Sequence, residues 1–284
     1  MVMIVLVVFF LFVLPVSLIV GYTFRQFRKL PDLTPKRYLE QSSKERRRVV
    51  VLLGDSITHG RIGVNYVDML KDRLGNEEFV FINAGINSEL AWNTLQRIDD
   101  VVRCEPDVVT VLVGTNDTNA VMAEKTMKSY IRRMELPRKP DIEWYRESLV
   151  CIITKLQSAT NAKVALLSIP PIGENPNNLV FEKSTEYSKV VRDVATEYDV
   201  AYLPVHENMV DYLQENKLTA AYPYEGYYIG IIRSIVSHYL LRRSWDDIAK
   251  RSGFSLHVDY LHLNTRGAEM VADLIYEFIR SIQT

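Results

Sequence analysis

Charge of one sign is what this chain most lacks: 34 Lys and Arg stand against 35 Asp and Glu, a formal net of -1 over 284 residues. A nucleic-acid backbone calls for a concentrated basic excess, so no nucleic-acid partner is implied. Cysteine is scarce as well. Cys104 and Cys151 have neither metal-ligand nor redox spacing, which excludes a disulfide framework and a zinc site and leaves two thiols. The Gly-Lys-Ser/Thr of a phosphate-binding loop is missing, no cofactor is implied, and no internal repeat or low-complexity tract follows the first residues. A second glycine is missing after Gly54-Asp55-Ser56-Ile57-Thr58, so the strained G-x-S-x-G elbow is not indicated either.

Charge is also missing from Met1 to Tyr22, a run of Val, Leu, Ile and Phe about long enough to cross a bilayer as a helix. No Lys or Arg precedes it, and Val-Ser-Leu-Ile-Val-Gly is a poor small-residue cleavage site, so residues 1–22 read as a transmembrane anchor rather than a cleaved signal. Arg25, Arg28, Lys29, Lys36 and Arg37 follow. By the positive-inside rule they place the next domain on the cytoplasmic side, although the same charges would also hold a linker against anionic head groups. Residues 23–48, polar and basic with Pro31 and Pro35, read as that linker.

What the chain does have is a 48% hydrophobic fraction, enough for one large core, and from Val49 onward short apolar runs alternating with amphipathic ones. This predicts an α/β fold, a central parallel sheet of about five strands covered by helices on both faces, over residues 49–284. The strands expected are 49–53, 79–83, 108–113, 163–169 and 200–204, with helices at 64–74, 93–103, 143–159, 182–198 and 265–282. Residues 206–258 exceed the minimal plan and read as a helical insertion. Tyr228, Ile232, Ile235, Val236, Tyr239 and Leu240 recur there at helical spacing, predicting one helix over 227–248. Its stripe either packs on the domain or forms a lid or membrane-facing surface, with Arg233, Arg242 and Arg243 meeting lipid phosphates.

The strand ends carry the chemistry. Ligands in open α/β sheets bind at the carboxyl ends of strands, where Gly54-Asp55-Ser56, Asn83-Ala84-Gly85 and Gly114-Thr115-Asn116-Asp117 fall together. Each alone is an ordinary turn. A serine hydroxyl also needs a base to become a nucleophile, and Asp259-x-x-His262, just before the last helix, offers a carboxylate and an imidazole. His59 is the rival base, without an obvious carboxylate, while His206, His238 and His257 read as structural or surface residues. Trp92, Tyr66 and the Ile172 region are candidates to wall a pocket, bordered by the Ser168–Gly173 loop.

These four blocks, in this order, resemble those of the SGNH hydrolases, or GDSL-type esterases and lipases, with Ile57 in place of the usual leucine. The resemblance runs from about Val49 to the C-terminus and implies a flavodoxin-like three-layer sandwich without a metal. It implies Ser56 as nucleophile, His262 as base, Asp259 as its orienting carboxylate, and an oxyanion hole built from Ser56, Gly85 and Asn116. The implied activity is hydrolysis of a carboxylic ester through an acyl-enzyme, at a membrane if the anchor holds. The alternatives are acyl transfer to a sugar or lipid hydroxyl from the same site, or a tethered binding module that has kept the fold without the chemistry.

Overall fold

A computed structural model describes residues 14–41, 47–75, 77–216 and 218–282. Five strands form one parallel sheet in the order β2-β1-β3-β4-β5: β1 (Arg48–Gly54), β2 (Phe79–Gly85), β3 (Val108–Leu112), β4 (Lys163–Leu167) and β5 (Ala201–Leu203). From Val49 to Gly54 every residue of β1 is buried, as expected of a strand covered on both faces. Its side chains alternate between two cores. Val49, Val51 and Leu53 join one with Leu149, Ile152 and Val191, and Val50 and Leu52 join the other with Tyr66, Leu70, Val271 and Ile275.

The topology locates the site. The chain leaves β1 for β2 on one side and returns to β3 on the other, so β1 stands at the switch point where the crevice above an open sheet forms. Register then fixes height: Gly54 pairs with Gly85 across one neighbour and with Leu112 across the other. The loops after β1, β2 and β3 therefore open side by side.

Fourteen helices are described, beginning with α1 (Leu14–Arg28), α2 (Pro35–Leu39), α3 (Ser56–His59) and α4 (Tyr66–Leu74). The expected helix at 93–103 is two short ones, α5 (Ala91–Gln96) and α6 (Ile98–Arg103), which meet at Arg97. Next come α7 (Thr115–Ala120), α8 (Glu124–Arg133), α9 (Ile142–Ala159) and α10 (Leu179–Glu197), then α11 (Val205–Asn216) at the start of the expected insertion. The helix expected over 227–248 is also two, α12 (Tyr227–Tyr239) and α13 (Trp245–Ser252). Arg242, at a φ of 54°, turns the chain, and the Ser244 hydroxyl starts α13 by accepting from Asp247 N at 3.1 Å. Last is α14 (Thr265–Ser281), capped by Asn264.

Most of the expected membrane anchor, residues 1–13, lies outside the described residues. Its last part belongs to α1, which continues past Tyr22 into the expected linker. No helix among the described residues is long and apolar enough to cross a membrane. Part of the expected linker is packed rather than free: Tyr38 is buried in the first core, Leu33 O accepts from Asn83 N at 2.9 Å, and Arg37 ties back to the carbonyls of Pro31 and Asp32.

Candidate active site

Sterics at the end of β1 permit only glycine: a Cβ on Gly54 would overlap Leu112 O and the Thr58 side chain. The next residue, Asp55, caps α3 by accepting from Ile57 N at 3.0 Å, and Ser56 is the first helical residue. Gly60, at a φ of 71°, closes the turn. The bend thus sets Ser56 at the crevice with its own N–H among the first-turn donors that lack a helical partner.

Ser56 Oγ stands 3.0 Å from His262 Nε2, and His262 Nδ1 stands 2.9 Å from Asp259 Oδ2. Asp259 is fully buried, and its Oδ1 accepts from the backbone N–H groups of Leu261 and His262 at 2.7 and 2.9 Å. Burial alone would raise this carboxyl, but the facing imidazole and these hydrogen bonds outweigh it and hold it below the usual carboxylate value. An ionised Asp259 accepts the Nδ1 proton, which leaves Nε2 as an acceptor toward the serine hydroxyl.

The loop carrying this pair is itself held from afar. Glu174, after β4, accepts from the N–H groups of Ser255, Leu256 and His257 at 2.7, 2.7 and 3.0 Å, and faces His257 Nδ1 at 2.9 Å. Gly173 N adds a bond to Tyr260 O, and Val258 N one to His262 O. Glu174 was not foreseen from sequence. Its one advance signal is its place after the Ser168–Gly173 loop, which was expected to border the site and in fact grips the Asp259–His262 loop.

Asn116, in α7, reaches the residue before Ser56. Its Oδ1 accepts from Tyr130 Oη at 2.7 Å, and its Nδ2 donates to Glu89 O at 3.0 Å and, at 3.3 Å, to Asp55 Oδ2. Glu89 is locked by Arg97, which pairs with it and donates to Gly54 O at 3.1 Å, tying the loop after β2 to the end of β1. A polar chain leads outward from Asn116: Tyr130 Oη accepts from Asn119 Nδ2, and Asn119 Oδ1 accepts from Tyr224 Oη in the insertion. Asp55 and Asp117 are fully buried, and burial pushes each up to about 7.

The N–H of Gly85, expected to face an oxyanion, donates in this structure to Asn83 Oδ1 at 2.9 Å. Glycine is also needed there sterically, since a Cβ would overlap the backbone of Thr58 and His59. The strained residue of this loop is Ser88, whose φ of 67° is in the left-handed region that non-glycine residues rarely occupy.

Other expectations fare variously. The rival base His59 is held down to about 4 by burial and by Arg61, and its Nδ1 is buried with no hydrogen-bond partner. His206 bonds Ile169 O and Thr185 Oγ1, and His238 stacks on Trp245. The expected pocket walls Tyr66 and Ile172 are buried in cores, Tyr66 bonded to Thr58, while Trp92 packs on Trp144. Among the described residues no three His, Cys, Asp or Glu converge to hold a metal.

Comparison with known proteins agrees with this geometry. A sequence profile of the GDSL-like Lipase/Acylhydrolase family matches residues 52–270. Similar solved structures include an acetyl xylan esterase, AlAXEase, at 21% identity and a TM-score of 0.57, covering 81% of this chain and 99% of that one. A lipase/acylhydrolase from Enterococcus faecalis is 23% identical with a TM-score of 0.53, covering 82% and 96%. An acetylxylan esterase from Geobacillus stearothermophilus is 16% identical with a TM-score of 0.55, covering 82% and 95%. At these identities the likeness is one of fold. No curated protein sequence matches the chain. The profile spans the stretch from β1 to the last helix, including Ser56, Asn116, Asp259 and His262, and on that match the chain belongs to the GDSL-like Lipase/Acylhydrolase family and is a serine hydrolase acting on esters.

Proposed function

We propose that the chain is a membrane-anchored carboxylic-ester hydrolase that works through an acyl-enzyme on Ser56. The observation that carries this reading is the continuous chain from Ser56 Oγ to His262 Nε2 at 3.0 Å and from His262 Nδ1 to Asp259 at 2.9 Å. Ser56 Oγ attacks the ester carbonyl carbon as its proton passes to His262 Nε2, and Asp259 stabilises the imidazolium that results. The carbonyl π electrons move to oxygen, where the Ser56 N–H and the Asn116 amide supply hydrogen bonds. Asn116 is prepared for this because its Nδ2 holds the long contact to Asp55, which a developing oxyanion replaces. Collapse breaks the bond to the alcohol oxygen, which takes the proton from His262. Water then repeats the sequence on the acyl-enzyme, with His262 again as base, and releases the acid.

The anchor is the uncharged run of residues 1–22. The basic residues beyond it favour a cytoplasmic site for the domain. Labelling with a serine-reactive fluorophosphonate tests the chemistry: the full chain labels, Ser56→Ala does not, and His262→Ala labels far more slowly. Labelling that survives in Ser56→Ala would sink the nucleophile. Alkaline carbonate extraction tests the anchor, which requires the protein to stay with the membrane pellet.

A further inference from the structure

The sequence left the stripe of the insertion helix open between a core face and a surface. Its packing divides it. Gly230, Ser234 and Ile235 are buried, whereas Tyr228, Ile229 and Ile232 lie 61%, 65% and 45% exposed on one arc of α12. Leu240 and Leu241 continue the exposed strip past the helix end. α12 packs against α1, where Leu18 and Tyr22 are 64% and 52% exposed at i, i+4 spacing and Arg25 follows on the same face. Two adjacent helices thus present apolar side chains to solvent, a larger exposed patch than scattered single residues produce.

Charge along the two segments that carry the patch is one-sided, with the nearest acids in sequence, Asp32, Glu225, Asp246 and Asp247, lying beyond their ends. From Tyr227 to Arg243 there are three arginines, Arg233, Arg242 and Arg243, and no Asp or Glu. From Leu14 to Leu30 there are Arg25, Arg28 and Lys29, again with no acid. Two copies of such a surface would repel each other. An apolar phase edged by anionic head groups satisfies both features together, since the apolar side chains enter the acyl boundary while the cations remain at the phosphates.

The patch is also tied to the catalytic crevice. Arg61, five residues after the nucleophile, donates from Nε to Lys29 O at 3.2 Å, and its own carbonyl accepts from Tyr239 Oη at 2.7 Å. Asn87, next to Ser88, donates to Phe27 O at 3.0 Å. The C-terminal ends of α1 and α12 therefore grip the loops after β1 and β2.

We propose that the joint outer face of α1 and α12 is a docking surface for an anionic bilayer, seating the mouth of the active site on the membrane. Leu18 and Tyr22 are the end of the anchor run itself, so what the proposal adds to the anchor is the α12 side of this face, and it rests on the esterase reading only for the consequence that the preferred ester resides in the bilayer.

The test uses the full chain in vesicles of phosphatidylcholine mixed with phosphatidylglycerol and a doxyl-labelled lipid. An environment-sensitive thiol label is placed at position 232 in Ile232→Cys/Cys151→Ser, and at the native, exposed Cys151 as control. Quenching is expected at position 232 and not at Cys151, and it weakens in Arg242→Glu/Arg243→Glu or without the anionic lipid. Equal quenching at the two positions overturns the proposal, as does efficient disulfide cross-linking between two copies at position 232, which would make the face a self-association surface. Ile229→Asp/Ile232→Asp is expected to hydrolyse a soluble acyl ester like the parent and a vesicle-embedded ester at least about tenfold more slowly, since two exposed side chains that would enter the acyl boundary are lost. Quenching at position 232 in a protein that hydrolyses no ester would reject the esterase reading and leave the docking surface supported.

Discussion

The two sides of the catalytic crevice are positioned by different physics. Ser56 and Asn116 ride on turns at the ends of adjacent parallel strands, so their separation follows from the β1–β3 register, Gly54 against Leu112. Asp259 and His262 sit on a loop between α13 and α14 that belongs to no strand. That loop is given its shape by an isolated bridge between His257 and Leu263 and by the buried Glu174, which accepts three backbone N–H groups at once. One side is held by the ladder, the other by a few loop hydrogen bonds and one buried carboxylate. The base side should therefore be the easier to dislodge without unfolding the sheet.

Glu174→Ala is the largest test of that difference. It leaves three backbone donors and His257 without their acceptor, and a buried donor left unsatisfied typically costs about 1–3 kcal/mol. Urea denaturation should show that loss. Glu174→Gln keeps an acceptor oxygen and should recover part of the stability and more of the activity. If Glu174→Ala matched the parent in both midpoint and kcat, the loop would be held by its bridge alone.

On the strand-end side the corresponding probes act on rate more than on stability. Asn116→Ala removes a side-chain donor toward the oxyanion and should lower kcat about 100- to 1000-fold. Tyr130→Phe leaves Asn116 in place but deletes the hydroxyl that donates to its Oδ1. About 1 kcal/mol, the worth of one such hydrogen bond, corresponds to a fall in kcat of about fivefold, with KM unchanged. A rise in KM alongside the fall in kcat would mean that Tyr130 shapes the pocket instead of orienting the amide.

Protonation sharpens the contrast. Asp55 and Asp117, on the strand-end side, titrate at about 7 when folded because burial penalises their charge. Between the ordinary carboxylate value near 4 and about 7 the folded chain binds more protons than the unfolded one, so their effect is to reduce stability as pH rises. Asp259 and Glu174 have depressed folded values, so their stabilisation is present above the unfolded value and is lost as pH falls through the folded one. The buried imidazole of His59, held down to about 4, acts in the opposite direction over the same range, so the test is a difference: as pH rises from about 4 to about 7, denaturant midpoints should fall in the parent relative to Asp117→Asn, whose amide oxygen still accepts from Ala91 N.

What was legible in the sequence follows the same division. Buried parallel strands are continuous apolar runs, so the strands were placed to within a few residues, and the turns at their ends came with them. Side chains recruited across the fold were not legible. Arg97 interrupts an expected helix because it is drawn to Glu89 and Gly54 O. Glu174 meets its partners some eighty residues on, with no periodic pattern to announce it. Gly85 is legible in sequence as a glycine at the end of β2, but not the close packing that requires it: the Gly54–Gly85 pairing brings its Cα against the nucleophile turn, and its N–H bonds Asn83 Oδ1. Spacing brings a residue to the site, and only packing decides which of its atoms is used.

Ser88 gives the smallest effect and separates strain from function within the strand-end side. Its φ of 67° lies where a Cβ crowds the backbone, next to Glu89, whose carbonyl holds Asn116. A non-glycine residue held there typically costs about 1 kcal/mol or more, partly offset in a glycine variant by the greater entropy of its unfolded chain. Ser88→Gly should therefore raise stability by about 1 kcal/mol or less. If the left-handed turn alone matters, kcat stays at the parental value. If kcat drops while stability rises, the serine side chain takes part in the reaction, and the loop after β2 would contribute more to the site than the backbone shape given to it here.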